Sequence, residues 1–289
     1  MQFTLAEALA VGLVIVSVIA ITLLFALRRA LRLARDRHHR RPALWNRLYA
    51  LDWGDTATNN YGFAPANEDH PQRFQREMYR QLLARLEAIK GPTAPLRLLE
   101  VSCGRGGGLR AFLDAGGDRF DATGLDVAHS AIEYCRKAYG EHDRLHFVQG
   151  SALALPFDDA SFDVVLNVEA SNDYGDRPRF LTEVARVLTA DGVFLYADTC
   201  RERRRDERVA EFDGSGFDAR FDDITANVVD ACVEDSGRRR AFIRSHAPLL
   251  ARIALRRQLE NYAAVEGSRK FTAFAEGARR YLMTAATRR

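Results

Sequence analysis

No C-x-x-C pair occurs among the four cysteines, which stand far apart at 103, 135, 200 and 232. That scatter excludes a disulfide-stapled scaffold and a zinc ribbon. No internal repeat, low-complexity tract or metal-ligand grouping is visible, so no metal is expected. Neither charge dominates: 42 Lys and Arg face 39 Asp and Glu, a net +3 over 289 residues. The small excess is local. Arg28 to Arg41 holds seven arginines and one acid, Asp36, so the remainder is net acidic. A basic groove interleaved with aromatics is absent, and nucleic acid is not an expected partner. With 47% hydrophobic and 28% charged residues, the chain is neither disordered nor fibrous.

What the sequence does contain begins with ALAVGLVIVSVIAITLLFAL, twenty uncharged residues from Ala8 to Leu27. A helix of that length spans roughly 30 Å, the thickness of a bilayer's hydrocarbon core. Val, Ile and Leu run all round it and leave no polar face. The preceding MQFTLAE has no positive charge, unlike a cleaved signal peptide. Residues 8–27 are therefore expected to be a permanent single-pass anchor in the cytoplasmic membrane. The arginines after it place the N-terminus outside and the rest in the cytoplasm. Residues 1–41 form the expected anchor and basic juxtamembrane segment.

Residues 42–95 read as a helical lid. Leu82, Leu83, Leu86 and Ile89 make a helical stripe ended by Gly91-Pro92, and Trp53–Pro65 reads as a loop. From Leu96 short apolar runs alternate with helices. Strands are expected at Leu96–Val101, Phe120–Leu125, Leu145–Val148, Ser161–Val168 and Gly192–Ala197. Helices are expected near Leu109–Ala115, Ala128–Tyr139 and Arg179–Leu188. This order implies an α/β fold with a parallel sheet covered on both faces. After a polar stretch, CRERRRDER, Phe217, Ala219 and Phe221 alternate with Asp218, Arg220 and Asp222 as one half-buried strand. Residues 224–263 return to helix, and Tyr281–Ala286 reads as a final strand.

The chemistry centres on Leu98-Leu99-Glu100-Val101-Ser102-Cys103-Gly104-Arg105-Gly106-Gly107-Gly108. A strand enters a glycine turn and then a helix, whose N-terminus favours negative charge. Asp126 ends the next strand 22 residues after Gly104, where a carboxylate can grip ribose hydroxyls. A dinucleotide site wants G-x-G-x-x-G, but Leu109 occupies the third position. Glu100 at the strand end instead suits the ammonium of an amino acid, the non-nucleoside end of S-adenosylmethionine.

The block resembles the first motif of class I S-adenosylmethionine-dependent methyltransferases, (D/E)-x-G-x-G-x-G. Glu100, Gly104 and Gly106 match, and Ser102 stands where the first glycine is usual. Asp126 matches the ribose acid. Gly150–Phe157 resembles G-D-A-x-x-L-P-F, with Ser151 in place of the Asp that commonly faces the adenine amino group. Phe162-Asp163-Val164-Val165 and Val184–Gly192 follow in family order. The resemblance implies a Rossmann-like, mostly parallel seven-stranded sheet with helices on both faces. It implies a methyltransferase domain over 96–289, with its cofactor half at 96–198 and a helical substrate cap at about 224–263. It implies S-adenosylmethionine as cofactor, held by Tyr61, Glu100, Ser102, Gly104, Gly106, Asp126, Val127, Ser151, Ala152 and Asn167.

More narrowly, Glu100–Gly104, Asn167–Ser171, Asp223–Val228 and the tail residues Gly267, Ser268, Phe274, Ala275, Gly277 and Tyr281 resemble the phthiotriol/phenolphthiotriol dimycocerosate methyltransferases. Those relatives imply a lipophilic acceptor, a lipid, fatty acid or polyketide, methylated at a hydroxyl or carboxyl oxygen. Asn172 departs from them where a His is expected, and so does the anchor. Candidates for handling the acceptor's proton are then Asp173, Glu169 and His246. C-methylation of a quinone or sterol-like ring remains an alternative, as does a non-catalytic protein with the same fold. An NAD-dependent dehydrogenase is a more distant one.

Overall fold

Leu98 and Leu99 are neighbours in sequence, both fully buried, and belong to different hydrophobic clusters. Side chains alternate across a strand, so this pair requires a sheet covered on both faces. The computed structural model describes residues 37–51, 53–91, 95–140, 144–247 and 255–289, with side chains from Pro42 onward. Residues 8–27, expected as the anchor, and most of the arginine-rich segment lie outside the described residues. Among those described, no helix is long and apolar enough to cross a membrane. Ala43–Arg289 forms one compact unit, to which residues 37–42 do not belong.

Helix α1 spans Arg37–Tyr49 and α2 Arg73–Lys90. Then come β1 (Leu96–Val101), α3 (Gly107–Gly116), β2 (Phe120–Asp126), α4 (His129–Tyr139), β3 (Leu145–Gln149) and β4 (Phe162–Val168). Helix α5 (Arg177–Val187), β5 (Leu188–Arg201) and α6 (Arg205–Gly214) follow. The remaining elements are β6 (Phe217–Asp218), β7 (Asp222–Asp223), α7 (Thr225–His246), α8 (Arg256–Tyr262), α9 (Arg269–Ala275) and β8 (Arg279–Arg288).

The sheet has eight strands in the order β3-β2-β1-β4-β5-β8-β6, with β7 also on β8. Strands β1 to β5 pair in parallel, and β8 runs antiparallel between β5 and the short pair. The strand order reverses between β1 and β4. Ligands of open α/β sheets bind at the carboxyl ends of strands at such a point.

Eight strands rather than the expected seven result from one interruption. Phe217–Asp218 pairs with Arg288 and Thr287, and Asp222–Asp223 with Met283 and Leu282. Both pieces keep a single antiparallel register, so the half-buried strand read from alternation is present but leaves the ladder over 219–221. Two helices were not expected. Within the polar stretch, α6 buries only Arg208 and Phe212, one turn apart. Helix α9 begins at Ser268, whose side chain accepts from the Phe271 N–H. Of the helical region expected at 224–263, the described residues hold α7 and α8, and 248–254 lie outside them.

Candidate active site

Strand β1 delivers Glu100 beside Leu166 of β4. Its carboxyl is buried, with Oε1 accepting from the Tyr79 hydroxyl at 2.9 Å. Among the described residues its Oε2 is buried and accepts no hydrogen bond, though the Leu109 backbone favours the charged form of the carboxyl. Burial pushes this carboxyl up to about 8. Such an unmatched acceptor is costly in isolation and is answered by a donor such as an ammonium.

The turn that follows is built from left-handed backbone. Ser102 has φ 64°, and Gly106, with φ 73°, leads into α3. The glycine run also clears space. A Cβ at Gly108 would lie 1.9 Å from the Tyr79 ring, so the ring that holds Glu100 packs directly on the helix backbone. The Gly104 N–H donates to Asp126 Oδ2 at 2.9 Å, and the Ala128 N–H to Oδ1 at 2.8 Å. A third backbone N–H, that of Val127, also favours the charged form of this carboxyl. Burial raises the Asp126 pKa above its ordinary value.

Asn167 is fully buried at the end of β4. Its Nδ2 donates to the Val101 carbonyl at 2.9 Å and to the Tyr174 hydroxyl at 3.0 Å, while Oδ1 has no partner among the described residues. The Tyr174 hydroxyl also shares a 2.6 Å hydrogen bond with Ser102 Oγ. The structure therefore brings Glu100, Ser102, Gly104, Gly106, Asp126 and Asn167 together. Val127 adjoins them half-buried, and Ala152 is buried. Ser151 is exposed after β3, its Oγ accepting from the Leu153 N–H at 3.2 Å.

Glu169 has φ 52°, and its Oε1 accepts from the Tyr61 N–H at 2.7 Å and the Tyr281 hydroxyl at 2.8 Å. Loss of water pushes its carboxyl up to about 8. Asp173 accepts from the Trp45 indole at 3.1 Å. His246 lies at the end of α7, its ring stacked on Phe242 at 4.6 Å and bonded to that residue's carbonyl. Asn172, standing in place of a His, is tied down: Nδ2 donates to Asp198 Oδ1 at 2.6 Å and Oδ1 accepts from Arg208 at 3.0 Å.

Sequence reasoning missed the tyrosines at 49, 79 and 174. The Tyr49 hydroxyl lies 2.7 Å from where a Gly104 Cβ would be, and its ring stacks on Trp45. The Ala57 carbonyl accepts from the Gly107 N–H at 3.2 Å, so residues after α1 cap the glycine turn. Tyr79, a phenol on a buried, mostly apolar helix face, carried the one readable signal.

Residues 99–196 match a methyltransferase-domain family. The phthiotriol/phenolphthiotriol dimycocerosates methyltransferase of Mycobacterium leprae is 34% identical over 214 residues, 72% of this chain and 73% of that one. The chain belongs to this family of class I S-adenosylmethionine-dependent methyltransferases. The fatty-acid O-methyltransferase of Mycolicibacterium smegmatis is 40% identical over 152 residues, 51% of this chain and 52% of that one. Geranyl diphosphate C-methyltransferase of Streptomyces coelicolor shares the fold, with TM-score 0.61 and 14% identity over 88% of this chain and 98% of that one.

S-adenosylmethionine is the methyltransferase's cofactor, and the residues present fit it. The buried Glu100 Oε2 and Asn167 Oδ1 would accept from its ammonium end. The Asp126 carboxyl at the end of β2 would accept from its ribose hydroxyls. When bound, the cofactor supplies an electrophilic methyl group, and the protein's part is alignment of the two reactants.

Proposed function

We propose that this methyltransferase O-methylates a lipophilic acceptor, a lipid, fatty-acid or polyketide-like molecule carrying a hydroxyl or carboxyl, at a membrane surface. The observation that carries it is the pair of buried carboxylates at 100 and 126 flanking the glycine turn, one with an unpartnered oxygen. The relatives named above direct the reading to lipid-like acceptors.

Residues 8–27 supply the membrane part of the proposal. A tether on the cytoplasmic face holds the site near membrane-dissolved substrate and raises its effective concentration. The Arg28–Arg41 segment assists by attracting anionic head groups.

The test is incubation of the full chain with methyl-labelled cofactor and a total lipid extract, followed by mass spectrometry. Label in an extractable lipid supports the reading; label confined to water-soluble products removes it. Resistance of the membrane-bound chain to alkaline carbonate extraction checks the anchor separately.

A further inference from the structure

Tyr61 is held from four sides. Its N–H donates to Glu169, its carbonyl accepts from Arg239 at 2.6 Å, and its ring meets Phe274 edge-on at 5.6 Å. Its hydroxyl accepts from Lys270 Nζ at 2.5 Å. Lys270 is half-buried and spends a second N–H on the Tyr262 carbonyl at 3.2 Å. Its third N–H and the Tyr61 O–H have no acceptor among the described residues. Two unspent donors thus stand side by side, one of them on a tyrosine whose backbone N–H meets Glu169, three residues beyond the β4 position that pairs with Glu100.

Two adjacent donors, one cationic, match the two oxygens of a carboxylate. They do not match the need of an alcohol, which must lose a proton to something. Asn172 is not a base; of the three candidates, Glu169 is pushed up to about 8 and holds its proton at neutral pH, Asp173 accepts from Trp45, and His246 stacks on Phe242. A carboxylic acid is already ionised at neutral pH and needs no base.

We propose that Lys270 and the Tyr61 hydroxyl anchor the head group of a carboxylate acceptor, so that the product is a long-chain methyl ester. This rests on the lipophilic-acceptor reading above. A carboxylate oxygen forms a bond to the methyl carbon as the carbon–sulfur bond breaks. The electron pair stays on sulfur, giving a neutral thioether, and no proton moves. The charged groups facing Lys270 are Glu169, Asp173 and Arg279. Arg279 offsets Asp173. Glu169, pushed up to about 8, is largely protonated at neutral pH and does not repel the anion.

The experiment gives the full chain labelled cofactor with palmitate or 1-hexadecanol in phosphatidylcholine vesicles, and reads ester and ether by mass spectrometry. Methyl palmitate is expected, without hexadecyl methyl ether. Lys270→Met is expected to lower kcat/KM for palmitate about 10- to 100-fold, mainly through KM, the loss of a charge-assisted hydrogen bond. Binding of S-adenosylhomocysteine by calorimetry is expected to stay unchanged. Tyr61→Phe, which deletes only the second donor, is expected to raise the same KM. Ether formation with palmitate inert, or an unchanged KM in a folded Lys270→Met and in Tyr61→Phe, overturns the proposal. Label in other extracted lipids but not in palmitate overturns it and leaves the lipophilic reading standing. Label in no lipid, with the product still bound, removes both.

Discussion

The backbone N–H of Gly104 points into the carboxylate of Asp126 at 2.9 Å, tying the glycine turn after β1 to the end of β2. One carboxylate thus sets the turn's shape and is the group that would face the cofactor's ribose.

Asp126→Ala is therefore expected to do two things. It leaves the N–H groups of Gly104 and Ala128 without their acceptors, which lowers stability by about 1–3 kcal/mol. It also weakens S-adenosylhomocysteine binding about 10-fold or more, because charged acceptors for the ribose are lost. Urea denaturation and calorimetry measure the two separately. Full retention of binding would remove the ribose assignment.

Glu100 and Glu169 make the unliganded protein sensitive to alkali. Each carboxyl lies at about 8 when folded, above the usual 4.5, so the folded state holds the proton more tightly than the unfolded state. Stability then falls as pH rises from about 4.5 to about 8 and levels off beyond. Glu100→Gln is expected to remove its share of that slope, leaving the variant more stable than the wild type at pH 9 by up to a few kcal/mol. An ammonium placed against Glu100 favours the ionised form, so product binding at pH 7 is expected to release about one proton. Calorimetry in phosphate and in Tris reads that release, and the Gln variant should lack it.

The β1 motif was legible because its parts are local: a strand, a turn and a helix within about a dozen residues, then an acid at the next strand end. The strands from 96 to 197 were legible as short apolar runs. The other groups around the site reach it from far along the chain. Tyr79 meets Glu100 across 21 residues, Tyr174 meets Ser102 across 72, and Lys270 meets Tyr61 across 209. No spacing rule links such pairs; only the folded sheet brings them together. Helix α6 was hidden for another reason: an arginine is one of its two buried residues. That arginine pairs with Glu211 of the same helix, but the groups it donates to, Tyr196 on β5 and Asn172 after β4, were not visible as its partners.

Gly108 and Gly237 should respond oppositely to the same change. Gly108→Ala drives a methyl group to within 1.9 Å of the Tyr79 ring and is expected to cost about 1–3 kcal/mol by overpacking. It also displaces the phenol from Glu100. Gly237 lies inside α7, exposed, with nothing within 4 Å of a Cβ. Gly237→Ala is expected to stabilise by about 0.5–1 kcal/mol through lower backbone entropy in the unfolded chain. Thermal denaturation of the two variants decides it.

Asn172 tests whether proton removal limits the reaction. It joins the buried Asp198 to the buried Arg208, so Asn172→Ala leaves an acceptor and a cation short of partners. A loss of about 2–4 kcal/mol is expected in urea denaturation. Asn172→His restores the residue expected from the narrower family resemblance, yet a neutral imidazole offers one donor and one acceptor in a different geometry. It is expected to recover only part of that stability. If the acceptor arrives as a carboxylate, a new base has no proton to take, and kcat for the His variant should not exceed that of the wild type. A clear rise in kcat would instead show that deprotonation is limiting and that the acceptor is a hydroxyl. Because stability and kcat are read independently, a damaged network and a missing base give different results.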